Sequence, residues 1–525
     1  FWLIILLNLI PVFQGPFLPT LDGAAHLYNS NIILEKLSGN DLINEFFSFN
    51  SEFVPNWTGH FILAFFNSFL PAMVAEKIFL LIYCIGLPLS FRYFLKRINP
   101  KGNGYLLSYF IFPFCYSFMM LMGFYNFSIA ILFFFLSGAY WFHYKSELTP
   151  KRFILLGTLL LATYFSHIVV FVLLMFSLSG HCLWTTGIEL AQKKNLSLWW
   201  KSTWNEISKL LTAGCVPLIL TLLYFISRSN DSNETYLEFR LLVDWLEELR
   251  PLIMYHEDIE GSQTKKLAYL FGILFTIGLF QKLNQIKIEK DISPKNGFSS
   301  FLKQLIKPAD IWFFLSLGVL YLYFKMPDGM QGAGFISVRL AYLFYLFLLI
   351  WIAMQNLPKW FLWFSIISAL YLNFKLNDYY KIVAIDLNRT AKNVIQVSSK
   401  IDDNSIVLPI NRGTNWVHGH YSNYLGIDKP LIILENYEAT TNYFPLRWNF
   451  EEMPKPIIRD YQLSDFNCLW WPENAKNSER PIDYVFILGR LNIENSCDSL
   501  IQVALGKNYY LVQENEDCQL YGLIR

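Results

Sequence analysis

Charge is what this sequence lacks. Only 16% of its 525 residues are Asp, Glu, Lys or Arg, against roughly 25% in a typical soluble domain. That shortfall excludes both an ordinary cytosolic enzyme and a disordered chain, since disorder needs high charge and few aromatics. Cysteine is sparse too: the seven Cys form no CxxC and no Cys/His spacing suited to a metal, so a disulfide-stapled module is excluded. Neither GxGxxG nor GxxxxGK[ST] occurs, which disfavours a soluble nucleotide or nucleotide-sugar ligand. Nucleic-acid motifs are missing, and so is any repeat of 20–50 residues or similarity between halves.

What is abundant is apolar: 54% hydrophobic residues, with 48 Phe, 30 Tyr and 16 Trp. Long apolar runs of about 20 residues mark a polytopic membrane protein. Eleven spans are expected: one before 13, then 78–95, 104–121, 125–143, 152–165, 168–185, 208–227, 266–282, 309–325, 335–354 and 359–374. The sequence opens at Phe1 rather than Met, so its first residues are expected to be missing. Cys84, Cys115, Cys182 and Cys215 lie in apolar runs and behave as small hydrophobes. Of Cys468, Cys497 and Cys518, two can pair if their compartment is oxidising.

Basic residues set the orientation. Lys96, Arg97 and Lys101 follow the second span, Lys145, Lys151 and Arg152 the fourth, and Lys193, Lys194 and Lys201 the sixth. The loop after the eighth holds Lys282, Lys287, Lys290, Lys295, Lys303 and Lys307. Splitting 152–185 at Ser166-His167 puts all four loops on one side; one merged span would not. Residues 228–266 on the other side carry five basic and nine acidic residues. The N-terminus is then cytoplasmic. Residues 1–374 form the membrane domain, including a long external loop at 14–77. Residues 375–525, with 15 basic and 19 acidic residues, read as an external α/β domain: β-like runs at 405–410, 484–488 and 509–512, and a polar helix over 377–400.

The most informative stretch follows the first span: Pro19-Thr20-Leu21-Asp22-Gly23-Ala24-Ala25-His26-Leu27-Tyr28-Asn29. Gly15, Pro16 and Pro19 end the membrane helix. Ala25, Tyr28, Ile32, Ile33 and Leu37 then suit a helix over 23–37 lying on the membrane surface. Asp22 and His26, four apart, share a face. A carboxylate there is placed to take a proton from an acceptor hydroxyl, or simply to cap the helix. Both readings stay open on spacing alone.

An Asp just after the first membrane helix, in a long external loop, resembles the GT-C superfamily of membrane glycosyltransferases, and the Asp-Gly-Ala-Ala-His-Leu-Tyr-Asn form resembles bacterial members of it. Pro55-Asn56-Trp57-Thr58-Gly59-His60, Gly123-Phe124-Tyr125-Asn126-Phe127 and His167 fit the same group. The resemblance implies a polyprenyl-phosphate-linked sugar donor and inverting transfer to a glycan, lipid or protein acceptor at the outer face of a bacterial inner membrane. Asp22 and His26 are then the catalytic candidates. Arg339, beside the Gly-rich loop Met326–Phe335, is the candidate for the lipid phosphate, with the alternative that it snorkels to the interface. His60, His167 and Trp57 are candidates for substrate binding, each with a structural alternative. Glu52, or Glu257 with Asp258 beside His256, is a candidate second acid. No metal or other cofactor is claimed, although a divalent metal stays possible. The aromatic stretches Trp416–Tyr421 and Asn436–Pro445, with His418 and His420, suit carbohydrate, a metal or a packed core. A flippase or transporter of lipid-linked saccharide, and a non-catalytic envelope protein, remain as alternatives; missing repeats and polar residues at the boundary count against a transporter.

Overall fold

A computed structural model describes the chain except residues 53, 101, 194, 228–233, 293–305, 331–333, 455–456, 459–460, 463–479 and 493. Two compact units result. One contains residues 1–9, 82–120 and 126–379, the other residues 10–81, 121–125 and 380–525.

The first unit is helical because its sequence is apolar over lengths that only a helix can satisfy in lipid, where every backbone group must pair internally. Among the described residues, six helices are long and apolar enough to cross a membrane: Ala72–Ile98, Gly104–Met122, Tyr125–Tyr144, Ile168–Ala191, Glu257–Asn284 and Ile336–Ala353. The pair Leu196–Ala213 and Cys215–Ser227, bent by 69°, makes a seventh if it is one span. The protein is a multi-pass membrane protein. The remaining expected spans also fall on helices, at Trp2–Asn8, Pro150–Ser166, Ile311–Lys325 and within Lys359–Ser398. The break at Ser166-His167 is real: Thr149 caps the helix before it, and His167 is extended between two helices.

One buried ion pair stands out inside this unit. Lys282 is bonded to Asp310, which also accepts from the Trp351 indole at 3.1 Å and from the Lys307 backbone at 2.7 Å. Lys295 and Lys303 lie outside the described residues, as does part of the Met326–Phe335 loop.

The second unit holds a mixed five-stranded sheet, as alternating β-branched and aromatic residues require. Leaving aside a short ribbon of Ile457–Ile458 with Tyr461–Gln462, the strands of this sheet and of a two-stranded ribbon are β1 (Phe47–Phe49), β2 (Ile406–Arg412), β3 (Ile432–Ile433), β4 (Leu446–Trp448), β5 (Tyr484–Gly489), β6 (Tyr509–Glu514) and β7 (Cys518–Leu523). The sheet order is β3-β2-β5-β7-β6, with β3, β2 and β5 parallel and β7 antiparallel to both β5 and β6. β1, from the first external loop, pairs antiparallel with β4 in the register Phe47 to Trp448. The loop is thus built into the fold of the C-terminal region. The expected polar helix over 377–400 continues from the last span as one helix, Lys359–Ser398. Cys497 is disulfide-bonded and Cys518 is a buried free thiol; Cys468 falls outside the described residues.

Candidate functional site

The helix Gly23–Ser38 ends at Gly39, whose φ of +87° suits glycine. Expected to lie on the membrane surface, it is instead buried on every side from Gly23 to Ile33. The reason is polar satisfaction: its hydrophilic face is matched by the C-terminal region rather than by water. Asn29 and Asn436 exchange amide hydrogen bonds at 3.0 and 2.8 Å. The Tyr28 hydroxyl donates to the Leu431 carbonyl at 2.8 Å and accepts from the Ile433 amide at 3.0 Å. Asn31 donates to the carbonyls of Gly426 and Lys429.

Asp22 stands at the N-cap, yet its carboxylate makes no capping hydrogen bond. Thr20 does that work, its hydroxyl accepting from the Gly23 amide at 3.0 Å. The Asp22 backbone is held by its amide donating to Met122 at 3.0 Å. Gly123 packs so closely that a Cβ there would lie 2.8 Å from both the Asp22 Cβ and amide nitrogen, and its φ of +92° also calls for glycine.

The freed carboxylate faces two groups from the C-terminal region. Tyr437 lies beside it, and His420 Nε2 lies 3.7 Å from Asp22 Oδ1. His420 is oriented from behind: its Nδ1 is 2.6 Å from Glu435 Oε1, and Glu435 accepts from Ser422 at 2.8 Å and Asn423 at 2.7 Å. The Tyr437 ring stacks on His420 with centroids 4.4 Å apart. Burial raises the Asp22 pKa above its ordinary value and outweighs the opposing pull of His420, His26 and Tyr437. Burial disfavours charge on His420 as well, but Glu435, helped by Asp22, prevails and lifts it to about 9. A carboxylate of raised proton affinity beside an imidazolium is suited to accept a proton.

His26 shares the helix with Asp22 but turns elsewhere. Its Nε2 donates to the Gly123 carbonyl at 2.7 Å, and its Nδ1 lies 3.3 Å from His60 Nε2 and 2.7 Å from Glu438 Oε1. His60, on the helix Thr58–Asn67, donates from Nδ1 to the Asn56 carbonyl at 3.2 Å and places Nε2 2.6 Å from Glu438 Oε2. Burial would raise the Glu438 pKa, but His60 and then His26 hold it down at about 2. Trp57 precedes that helix, its ring 6.3 Å from Phe49.

A further buried carboxylate, Glu76, accepts from the Tyr125 hydroxyl at 3.0 Å. A Cβ on Gly23 would lie 3.3 Å from Glu76 Oε1 and 2.9 Å from the Tyr125 hydroxyl, so this pair closes around the start of the helix. Glu52, by contrast, is exposed and paired with Arg447 at 3.4 Å.

The other expected residues belong to the first unit. Arg339 and His167 converge there on Phe127: the guanidinium is 5.8 Å from the ring centroid, and the imidazole meets the ring edge-on at 5.2 Å. Glu257 and Asp258 are exposed in the first turn of Glu257–Ile292, with Glu257 3.5 Å from Arg250. The neighbouring Glu260 is buried and accepts from the backbone amides of Met254, Tyr255 and His256, the pattern of a helix-start cap.

Glu435, Glu438 and Glu76 were missed from sequence. Glu435 and Glu438, three apart and flanking Asn436-Tyr437, carried a signal in their spacing. Glu76, one carboxylate at the start of an apolar run, carried a second.

No protein-family model matches the chain, and no curated protein does. Solved structures do resemble it. ArnT from Cupriavidus metallidurans in the apo state matches with a TM-score of 0.52 at 9% identity, over 100% of this chain and 97% of that one. The structure of the same protein bound to undecaprenyl phosphate matches with a TM-score of 0.49 at 9% identity, over 100% and 98%. The likeness is one of fold: over its whole length the chain resembles the fold of ArnT, with a helical membrane part followed by a sheet-containing region.

Proposed function

We propose that the protein is a membrane glycosyltransferase that moves a sugar from a polyprenyl-phosphate carrier to a hydroxyl acceptor at the outer face of a bacterial inner membrane. The observation that carries this reading is the uncapped carboxylate of Asp22: buried, raised in proton affinity, and faced by an imidazole that Glu435 orients. The ArnT fold supports the reaction class, and the charge asymmetry of the loops supports the orientation, with the C-terminal domain outside.

In the proposed step Asp22 takes the proton of the acceptor hydroxyl. The oxygen attacks the anomeric carbon, the bond from that carbon to the phosphate oxygen breaks, and the lipid phosphate leaves with the electron pair. Attack opposite the leaving group inverts the anomeric centre. His420 stabilises the ionised Asp22 before the transfer, by charge and not by contact with the substrate. Arg339, whose fork of donors suits phosphate, is the proposed cation for the lipid phosphate, with His167 sharing its aromatic support. His26 and His60 then act through position, and Trp57 offers an aromatic face to a sugar.

The test is a panel of polyprenyl-phosphate sugars offered to the purified chain, with product formation and anomeric configuration read by NMR. Wild type should form an inverted product with one donor. Loss of general-base catalysis in Asp22→Asn should cut the rate by about 10²–10⁴-fold, and Arg339→Ala should weaken donor binding. Retention of configuration, or an unchanged rate in Asp22→Asn, would overturn the assignment.

A further inference from the structure

His26, His60 and Glu438 come from three separate segments: the helix Gly23–Ser38, the helix Thr58–Asn67 and the short helix Tyr437–Thr440. All three side chains are buried, at 3%, 0% and 1% exposure. Their ligating atoms lie within 4.8 Å of one another. The transfer step above uses none of the three directly.

Two details distinguish this cluster from an ordinary buried ion pair. First, each imidazole donates its outer N–H to a backbone carbonyl, His26 to Gly123 and His60 to Asn56. That leaves His26 Nδ1 and His60 Nε2 directed inward, the arrangement by which outer-shell carbonyls fix the tautomer and ring of a metal-binding histidine. Second, both oxygens of the buried Glu438 carboxylate face the imidazoles, Oε1 at 2.7 Å from His26 Nδ1 and Oε2 at 2.6 Å from His60 Nε2. His26 Nδ1 is 3.3 Å from His60 Nε2, so the two imidazoles and the carboxylate close a triangle around one point. A divalent cation bound among the three would take the place of the protons on the inward nitrogens, as metal binding at histidine does.

The spacing fits. Tetrahedral zinc with Zn–N bonds of about 2.0–2.1 Å separates two nitrogens by about 3.3 Å, and the inward nitrogens of His26 and His60 are 3.3 Å apart. Glu438 sits closer, at 2.6–2.7 Å from them, so it would retreat by some tenths of an ångström to admit an ion. Phe444 packs edge-on against both imidazoles, and the Tyr125 ring lies tilted over His26 at 5.2 Å, giving the dry wall that strengthens such a site. Two imidazoles and one carboxylate select zinc-class ions over calcium or magnesium, which prefer all-oxygen shells.

We propose that His26, His60 and Glu438 bind one divalent transition-metal ion of the zinc class, which ties the three segments together and fixes the turn one step beyond Asp22. The ion is a clamp on the helix that carries the base, and the proposal stands apart from the reaction assigned above.

The test uses the untagged full chain in nanodiscs, stripped with chelator and then titrated with Zn²⁺ or Co²⁺. Elemental analysis should find one Zn²⁺ per chain, and Zn²⁺ should raise the melting temperature of the stripped protein by several degrees. Co²⁺ should give the intense visible absorption of a four-coordinate nitrogen and oxygen site. Glu438→Gln and His60→Ala should each weaken Zn²⁺ binding at least tenfold. A folded wild-type chain that takes up no Zn²⁺ and shows no Co²⁺ band would overturn the proposal without recourse to any variant. Variants that bind Zn²⁺ as tightly as wild type would overturn it equally. None of these readouts depends on transferase activity.

Discussion

Asp22 occupies a position where an aspartate ordinarily hydrogen-bonds the first turn of its helix, yet Thr20 accepts the Gly23 amide in its place. That single exchange takes the capping hydrogen bond away from Asp22 and leaves its proposed role as the base for substitution to test. It also makes the neighbour, His420, informative. The His420 pKa rises from its ordinary value of 6.5 to about 9, because Glu435 and Asp22 together outweigh burial. The raised value means that the folded state binds this proton more tightly than the unfolded one. The stabilisation is therefore complete below about pH 6.5 and fades as pH climbs through about 9. Melting temperatures of wild type should fall between pH 6.5 and 9.5 by more than those of His420→Gln. Equal slopes would show that His420 is not the charged partner of Glu435. In the proposed transfer reaction the same variant should lower kcat more than KM, as expected of a positioning group.

At the scale of elements, the helix Gly23–Ser38 shows what sequence can and cannot carry. Its start, its length and its stop at Gly39 are all legible, because caps and apolar spacing are local signals. Its surroundings are not. Apolar periodicity suggested one buried face, whereas Asn29 and Asn31 find partners about 400 residues away. Those pairings are specified by complementary amides at distant positions, which no window of one sequence displays. Glu435 and Glu438 were overlooked for the same reason: their importance lies in what they face. Asn29→Ala and Asn436→Ala should each destabilise the protein by about 1–3 kcal/mol, since each leaves a buried amide unpaired. The double variant should cost less than their sum. A double-mutant cycle with no coupling energy would mean that the pair contributes nothing specific.

At the scale of the whole molecule, the low charge content and the apolar runs were enough to establish a membrane bundle with a sheet-containing C-terminal region. The expected strands at 484–488 and 509–512 fall within β5 and β6, and that at 405–410 overlaps β2, which starts one residue later at Ile406. The β1–β4 pairing was hidden, because the two strands are three residues each and lie at opposite ends of the chain. The proposed orientation has a direct check. A cysteine replacing the exposed Ser399, in the C-terminal region, should react with an impermeant maleimide from outside intact inner-membrane spheroplasts. One replacing the exposed Glu147, in the loop beside Lys145 and Lys151, should react only after permeabilisation. The reverse pattern would invert the topology and remove Asp22 from the outer face.

The account turns on one division of labour at the start of one helix, and a paired measurement reaches it. Turnover and melting temperature are compared for Asp22→Asn and Thr20→Val in the same membrane preparation. Thr20→Val should lose about 1 kcal/mol of stability, the usual worth of a helix cap, and keep turnover within a few-fold. Asp22→Asn should melt within a degree or two of wild type and lose turnover by at least about a hundredfold. If instead Asp22→Asn turns over normally and melts early, Asp22 is a structural cap and the catalytic assignment is wrong.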